Sequence, residues 1–401
     1  MVRPSRSVSR ARGTGRAQQE TLLLVSSRDR LTARYGEGGF HAIRNSLDDF
    51  RVGLSKRGVK LMVGLVDDRG SMSGLGVTPL KRITAASVKG VLDAMRERAS
   101  GRSKPPLSVL ILGGHEVIPY FKLANPAFDS DGEVLSDNPY GSRPGALSSE
   151  KCLLPDVPVG RMPDGEGRGL DLLTAQLALA ARAGGPPESR RRALDNRDGR
   201  QLAYTAAVWQ KASREVAKGL GWEGALKVSP PLTHLSVKKG WFEGKTHLYF
   251  NLHGSDREPY WFGQQANTYP TALSPRNVTN LCGGPKVVVT EACYGAIEAG
   301  RGSETSMALA FLSAGALCFL GSTCVAYGAL VPPVSEADLI ALHFFRNLHN
   351  GMTYGKALVN ARAQLAALAV SRQGYLDEDD RKTLLEFVLF GDPTLRLPLA
   401  G

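Results

Sequence analysis

Two short apolar runs, His247 to Leu252 and Lys286 to Ala292, each stop at a reactive side chain followed by glycine. The first leads into His253-Gly254-Ser255 and the second into Cys293-Tyr294-Gly295. Short β-branched and aromatic runs bounded by Gly and Pro read as buried strands. In open α/β sheets, functional side chains collect beyond the carboxyl ends of the strands. The pattern therefore predicts one crevice shared by an imidazole and a thiol. A thiol nucleophile needs such a base, because at neutral pH only a few per cent of an ordinary cysteine is thiolate.

The chain before these runs predicts the same architecture. Thr21 to Ser26, Lys60 to Val66 and Ser108 to Leu112 read as strands, with amphipathic helices over Gly39 to Lys56 and Ala85 to Ala99 between them. Strand, helix, strand, helix, strand is the pattern of a parallel sheet with right-handed crossovers. A short strand over Asp156 to Arg161 and a helix over Leu170 to Arg182 follow. Residues 184–200 are polar, Arg-rich and aperiodic, and are expected to link an α/β unit of residues 20–183 to a catalytic unit of residues 201–401. Residues 1–19 are expected to be a disordered basic tail. In the second unit, helices are predicted over Leu202 to Leu220 and Ser303 to Ala314, the latter capped by Ser303. A strand over Ala316 to Leu320 and helices over Ala337 to Leu348 and Tyr354 to Val370 follow.

Composition narrows the function. Five of the net positive charges sit on Arg3, Arg6, Arg10, Arg12 and Arg16, and the Arg190 to Arg192 cluster is offset by nearby acids. No nucleic-acid-binding motif accompanies them, so nucleic acid is not an expected partner. No apolar run approaches the ~18 residues of a membrane span, and the Leu22 to Val25 run is too short for a secretory signal. The five cysteines are odd in number and form no C-x-x-C pair. Neither a disulfide framework nor a zinc site is indicated, and a reducing cytoplasm is the expected compartment. Cys318 and Cys324 read as core thiols. The Asn125 to Asn138 loop carries Asp129, Asp131, Glu133 and Asp137, but its register fails the EF-hand pattern at both end positions. A solvated acidic loop is the first reading, and a structural calcium of another type the second.

The chemistry assigns each site residue a task. Backbone N–H groups stabilise an oxyanion by roughly 3 kcal/mol each, and Gly254, lacking Cβ, can bring its N–H close to a substrate. The Cys293 amide would be the second donor, and Gly295 would relieve crowding at the sharp turn after the nucleophile.

His253-Gly254-Ser255 with Glu291-Ala292-Cys293-Tyr294-Gly295 resembles the dyad of the caspase-like (clan CD) cysteine peptidases. The caspase pattern Gln-Ala-Cys-x-Gly is departed from in two places, with Glu291 for Gln and Tyr294 before the glycine. The likeness is greatest to the gingipain-type family. It extends through Val109 to Gly114 with Ile118-Pro119, Asp156 to Pro163 and Phe390 to Leu395, from about residue 20 to residue 397. Ala308 to Tyr327 also resembles the separase-like (CHAT) peptidases.

The resemblance implies a caspase–haemoglobinase fold, a mostly parallel α/β sheet flanked by helices, preceded by a smaller α/β subdomain. It implies endoproteolysis of protein or peptide substrates without a catalytic metal. Cys293 is then the nucleophile, His253 the acid and base, and Gly254 with the Cys293 amide the oxyanion hole. Gingipain-type enzymes favour Arg or Lys before the scissile bond. Asp195 or Asp198 would receive that basic side chain, with Trp261 walling the pocket, and Arg190 to Arg192 would offer a self-processing site. A regulatory partner is expected for a protease held latent in the cell. The alternative is an inactive caspase-like scaffold that binds a protein partner.

Overall fold

The computed structural model describes residues 19–100, 106–183 and 199–396. The basic tail, most of the 184–200 segment and the Arg190 to Arg192 cluster lie outside the described residues, as do Asp195 and Asp198.

Fourteen strands are found among the described residues. In chain order they are β1 (Glu20–Ser26), β2 (Val59–Leu65), β3 (Leu107–Leu112), β4 (Phe121–Ala124), β5 (Glu133–Ser136), β6 (Val159–Met162), β7 (Gln201–Ala206), β8 (Leu226–Ser229), β9 (His247–Asn251), β10 (Trp261–Phe262), β11 (Thr271–Leu273), β12 (Val287–Thr290), β13 (Cys318–Ser322) and β14 (Phe387–Gly391). Ten of them form one sheet in the order β2-β1-β3-β6-β14-β13-β12-β9-β7-β8, so strands from both sides of residues 184–198 share it. All its pairings are parallel except β13 with β14. This is a mostly parallel α/β sheet flanked by helices.

The strands read as unbroken apolar runs because helices cover both faces of the sheet. Leu22, Leu23, Leu24 and Val25 are all fully buried. Along β12, Val287 and Val289 pack into one core and Val288 into the other, as alternation in a strand requires. Burying a side chain of this size contributes roughly 1.5–3 kcal/mol. No described helix is long and apolar enough to cross a membrane.

Three expectations need correction. The first helix runs from Arg28 to Lys56, longer than its apolar periodicity suggests. Ser27 caps it by accepting from the Arg30 amide, and it kinks at Gly36, whose φ is 70°. Ser306, not Ser303, caps the helix Met307–Ser313, accepting from the Leu309 amide. Leu202 to Leu220 is not one helix. Its first part is β7, and the helix begins at Gln210. The apolar spacing there suits either structure, and pairing of β7 with β9 on one side and β8 on the other decides it.

Candidate active site

Strands β9 and β12 are parallel neighbours, and Thr290 lies opposite Phe250. His253 and Cys293 each stand three residues beyond that pair, at the carboxyl edge of the sheet. The ladder persists one step further, where the Glu291 amide donates to the Phe250 carbonyl at 2.9 Å. Two parallel strands of equal overhang thus deliver the imidazole-bearing and thiol-bearing turns to the same edge.

The turns touch. A β-carbon on Gly254 would fall 1.9 Å from the Cys293 carbonyl oxygen, so the glycine is what permits this approach. Among the described residues neither the Gly254 nor the Cys293 amide donates to a backbone carbonyl. The turn after the thiol is made by Tyr294, whose φ is 54°. Gly295 has no such φ. Its role is room, since a β-carbon there would meet the Ala292 oxygen and Thr290 Cγ2 at 2.8 Å each.

The Cys293 sulfur is half-buried and accepts from the Ala326 amide at 3.4 Å. Burial raises the thiol pKa, and the bond to Ala326 opposes that rise by favouring the thiolate.

His253 is fixed from several sides. Its backbone exchanges two hydrogen bonds with Phe262 at 2.9 Å each. Its ring lies 4.2 Å, centroid to centroid, from Trp209 and 5.4 Å from Tyr269. Its Nε2 is 2.6 Å from Gln264 Oε1. The amide of Gln264 cannot be turned round, because its Nε2 donates to the Tyr269 hydroxyl and the Ala266 carbonyl. Oε1 is therefore the acceptor, His253 carries its proton on Nε2, and Nδ1 is left as the basic nitrogen. Burial lowers the imidazole pKa, and the bond to Gln264 raises it in part.

Trp261 is buried, packing at 5.2 Å from the Phe250 ring and 6.0 Å from Phe311. It also lines a small cavity beside Cys293 with Ser255, Glu258, Tyr260, Tyr294 and Arg301.

Sequence reasoning missed Trp209 and Gln264, which reach His253 from other segments. It also missed a buried carboxyl pair, Glu291 and Asp338. Glu291 accepts from the Tyr249 hydroxyl at 2.6 Å, and Asp338 accepts from the Ala329 amide at 2.8 Å. Burial, then the charge of Asp338, pushes the Glu291 pKa far above the usual carboxylate range. Burial also raises the Asp338 pKa, to about 6, and its Oδ1 has no hydrogen-bond partner among the described residues.

The acidic loop is solvated only in part: Glu133 is exposed, whereas Asp137 binds the buried Arg161. The side chains of Asp129 and Asp131 are 11% and 8% exposed, and both bind the buried ammonium of Lys382. Among the described residues no group of three or more His, Cys, Asp or Glu is arranged to hold a metal ion. Cys318 and Cys324 are both buried core thiols, and Cys324 also donates to Glu386 Oε2 at 3.2 Å.

Comparison with known proteins agrees with this architecture. No curated protein sequence matches the chain. The Arg-specific cysteine proteinase gingipain R superposes with a TM-score of 0.64 at 15% identity, covering 96% of this chain and 79% of its own. The Porphyromonas gingivalis RgpB pro- and mature-domain complex gives 0.61 at 14%, covering 94% and 79%. The Saccharomyces cerevisiae separase–securin complex gives 0.36 at 12% identity, covering 61% and 15%, too slight a likeness to build on. The family model described as peptidase family C25 matches residues 197–398, half of the sequence. With its sheet, its paired strand tips and that match, the chain belongs to peptidase family C25, the gingipain-type cysteine peptidases of clan CD.

Proposed function

We propose that this cysteine peptidase is an endopeptidase working through Cys293 and His253 and cleaving after basic residues. The observation that carries the reading is the shared register of β9 and β12, which gives both residues the same overhang at one sheet edge. The close approach of Gly254 to the Cys293 carbonyl adds to it.

In this mechanism the Cys293 thiol proton passes to His253 Nδ1, and the sulfur attacks the scissile carbonyl carbon. The carbonyl oxygen becomes an oxyanion that receives the Gly254 and Cys293 amides. Collapse breaks the C–N bond as the imidazolium returns its proton to the leaving amine. Water, deprotonated by His253, then attacks the thioester, and the acid product leaves with the thiol restored.

Preference for Arg or Lys is supported by the Arg specificity of gingipain R. A desolvated basic side chain needs an opposite charge. Asp195 and Asp198 are the acids the sequence offers. Among the described residues, the carboxylate lining the cavity beside Cys293 is that of Glu258, which is exposed.

Fluorogenic peptides with Arg, Lys or Asp before the scissile bond test the reading. Turnover is expected with Arg or Lys, falling at least about 1000-fold in Cys293→Ala and His253→Ala. Absence of turnover on every peptide, with no alkylation of Cys293 by iodoacetamide, would leave a binding scaffold instead.

A further inference from the structure

The proposed chemistry leaves unused the polar cluster packed against the turn of the nucleophile. Lys382 is fully buried, and its ammonium donates to Asp129 Oδ2 and, at 2.6 Å, to Asp131 Oδ2. A buried ion cluster is a poor source of net stability, since desolvation offsets most of the attraction. What it supplies is fixed geometry, and here every further bond of the two carboxylates goes to the site or to its own loop.

Asp131 Oδ1 accepts from the Tyr294 hydroxyl at 2.6 Å, and Oδ2 accepts from the Val325 amide at 2.9 Å. Tyr294 follows Cys293 directly and is held in the left-handed region, where a non-glycine residue is strained by about 1–3 kcal/mol. Val325 directly precedes Ala326, whose N–H faces the Cys293 sulfur. Asp129 Oδ2 accepts from the Tyr327 hydroxyl at 2.6 Å, on the other side of Ala326. Asn125 ties the loop together, donating to Asp129 Oδ1 at 2.8 Å and to the Asp131 carbonyl at 2.9 Å.

Resting on the assignment of Cys293 as nucleophile, we propose that Asp131 is a positioning residue for it. One carboxylate fixes both the strained turn that presents the thiol and the segment whose amide stabilises the thiolate. Lys382 holds that carboxylate in place. The loop first read as a solvated acidic segment is thereby part of the scaffold of the reaction.

The test compares wild type, Asp131→Asn and Tyr294→Phe by thermal unfolding, by kcat and KM on an Arg peptide, and by the pH dependence of Cys293 alkylation with iodoacetamide. In Asp131→Asn, kcat is expected to fall about 10–100-fold with KM within about 3-fold, because the loss is one of reactive geometry. The alkylation midpoint is expected to move to higher pH as the Ala326 amide loses its hold on the sulfur. Tyr294→Phe removes one hydroxyl and is expected to lower kcat about 3–10-fold with an unchanged unfolding temperature. A folded Asp131→Asn with wild-type kcat and alkylation profile overturns the proposal. Should that variant not fold, a Tyr294→Phe enzyme with wild-type kcat overturns it. A wild type with neither turnover nor alkylation refutes the peptidase mechanism itself, and this assignment with it. A wild type that cleaves no better than its Asp131 variant refutes only the role of Asp131.

Discussion

The Cα of Gly254 lies so close to the backbone of Cys293 that an added methyl would come within 1.9 Å of its carbonyl oxygen. The obstructing atom is main chain and cannot rotate aside. Gly254→Ala is therefore expected to push the two turns apart, lowering kcat/KM by at least about 100-fold and stability by about 1–3 kcal/mol. Peptide turnover and a denaturant titration check both numbers. Wild-type activity in a folded Gly254→Ala protein would show that the turns need not touch.

Gln264 sets which nitrogen of His253 carries the proton. Gln264→Leu removes that constraint and is expected to cost about 10–100-fold in kcat, in line with the loss of an orienting hydrogen bond. Activity requires the imidazole neutral, as base, so the rate should rise with pH through the His253 pKa. Burial holds that pKa below its ordinary 6.5, and the acidic midpoint of kcat/KM is expected below pH 6.5 in the wild type. In Gln264→Glu a carboxylate would favour the imidazolium, and the midpoint should move up. A midpoint that stays put in Gln264→Glu would mean that His253 does not govern that limb.

Much of this was legible in local sequence because strands buried on both faces write themselves as uninterrupted runs. Leu22 to Val25 and Val287 to Thr290 are examples, and a reactive residue just past such a run must emerge at the sheet edge. What supports the site was not legible, because it arrives through tertiary contact. Trp209 reaches His253 only because β7 pairs with β9, and β7 was itself hidden in an Ala-rich stretch that also suits a helix. Asp131 reads from sequence as part of a solvated acidic loop, and only folding shows that it and the distant Lys382 bury each other. Tyr294, rather than the glycine after it, bears the left-handed backbone, a choice that residue preference argues against.

Because burial raises the Glu291 pKa far above the usual carboxylate range, its replacement by an uncharged isostere should matter little. Glu291→Gln is expected to keep kcat/KM within about 3-fold, since an amide oxygen can still accept from the Tyr249 hydroxyl. Glu291→Ala leaves the Tyr249 hydroxyl buried and unpaired, at about 1–3 kcal/mol. Unfolding temperature and turnover of the two variants distinguish these outcomes. A Glu291→Gln enzyme as impaired as Glu291→Ala would require a charged residue at this position.

The last expectation concerns stability against pH. Glu386 is fully buried beside Cys324, and burial pushes its pKa up to about 8 from an ordinary 4.5, with Cys324 and Lys382 opposing the rise. A carboxyl raised on folding binds its proton more tightly in the folded chain. The stability it contributes is complete below about pH 4.5 and is lost as pH climbs through about 8. Glu298 and Glu336, each raised to about 7 chiefly by burial, act in the same direction. His247 works from the other side. Burial pushes its pKa down to about 3, so its contribution is present above its ordinary 6.5 and fades as pH falls toward 3. The unfolding temperature should therefore decline from pH 6 to pH 8.5, by about 1 °C for each kcal/mol lost. Glu386→Gln takes away one titrating group and should make that decline shallower while leaving the acid side unaltered. Equal slopes in variant and wild type would mean that Glu386 does not hold its proton in the folded protein.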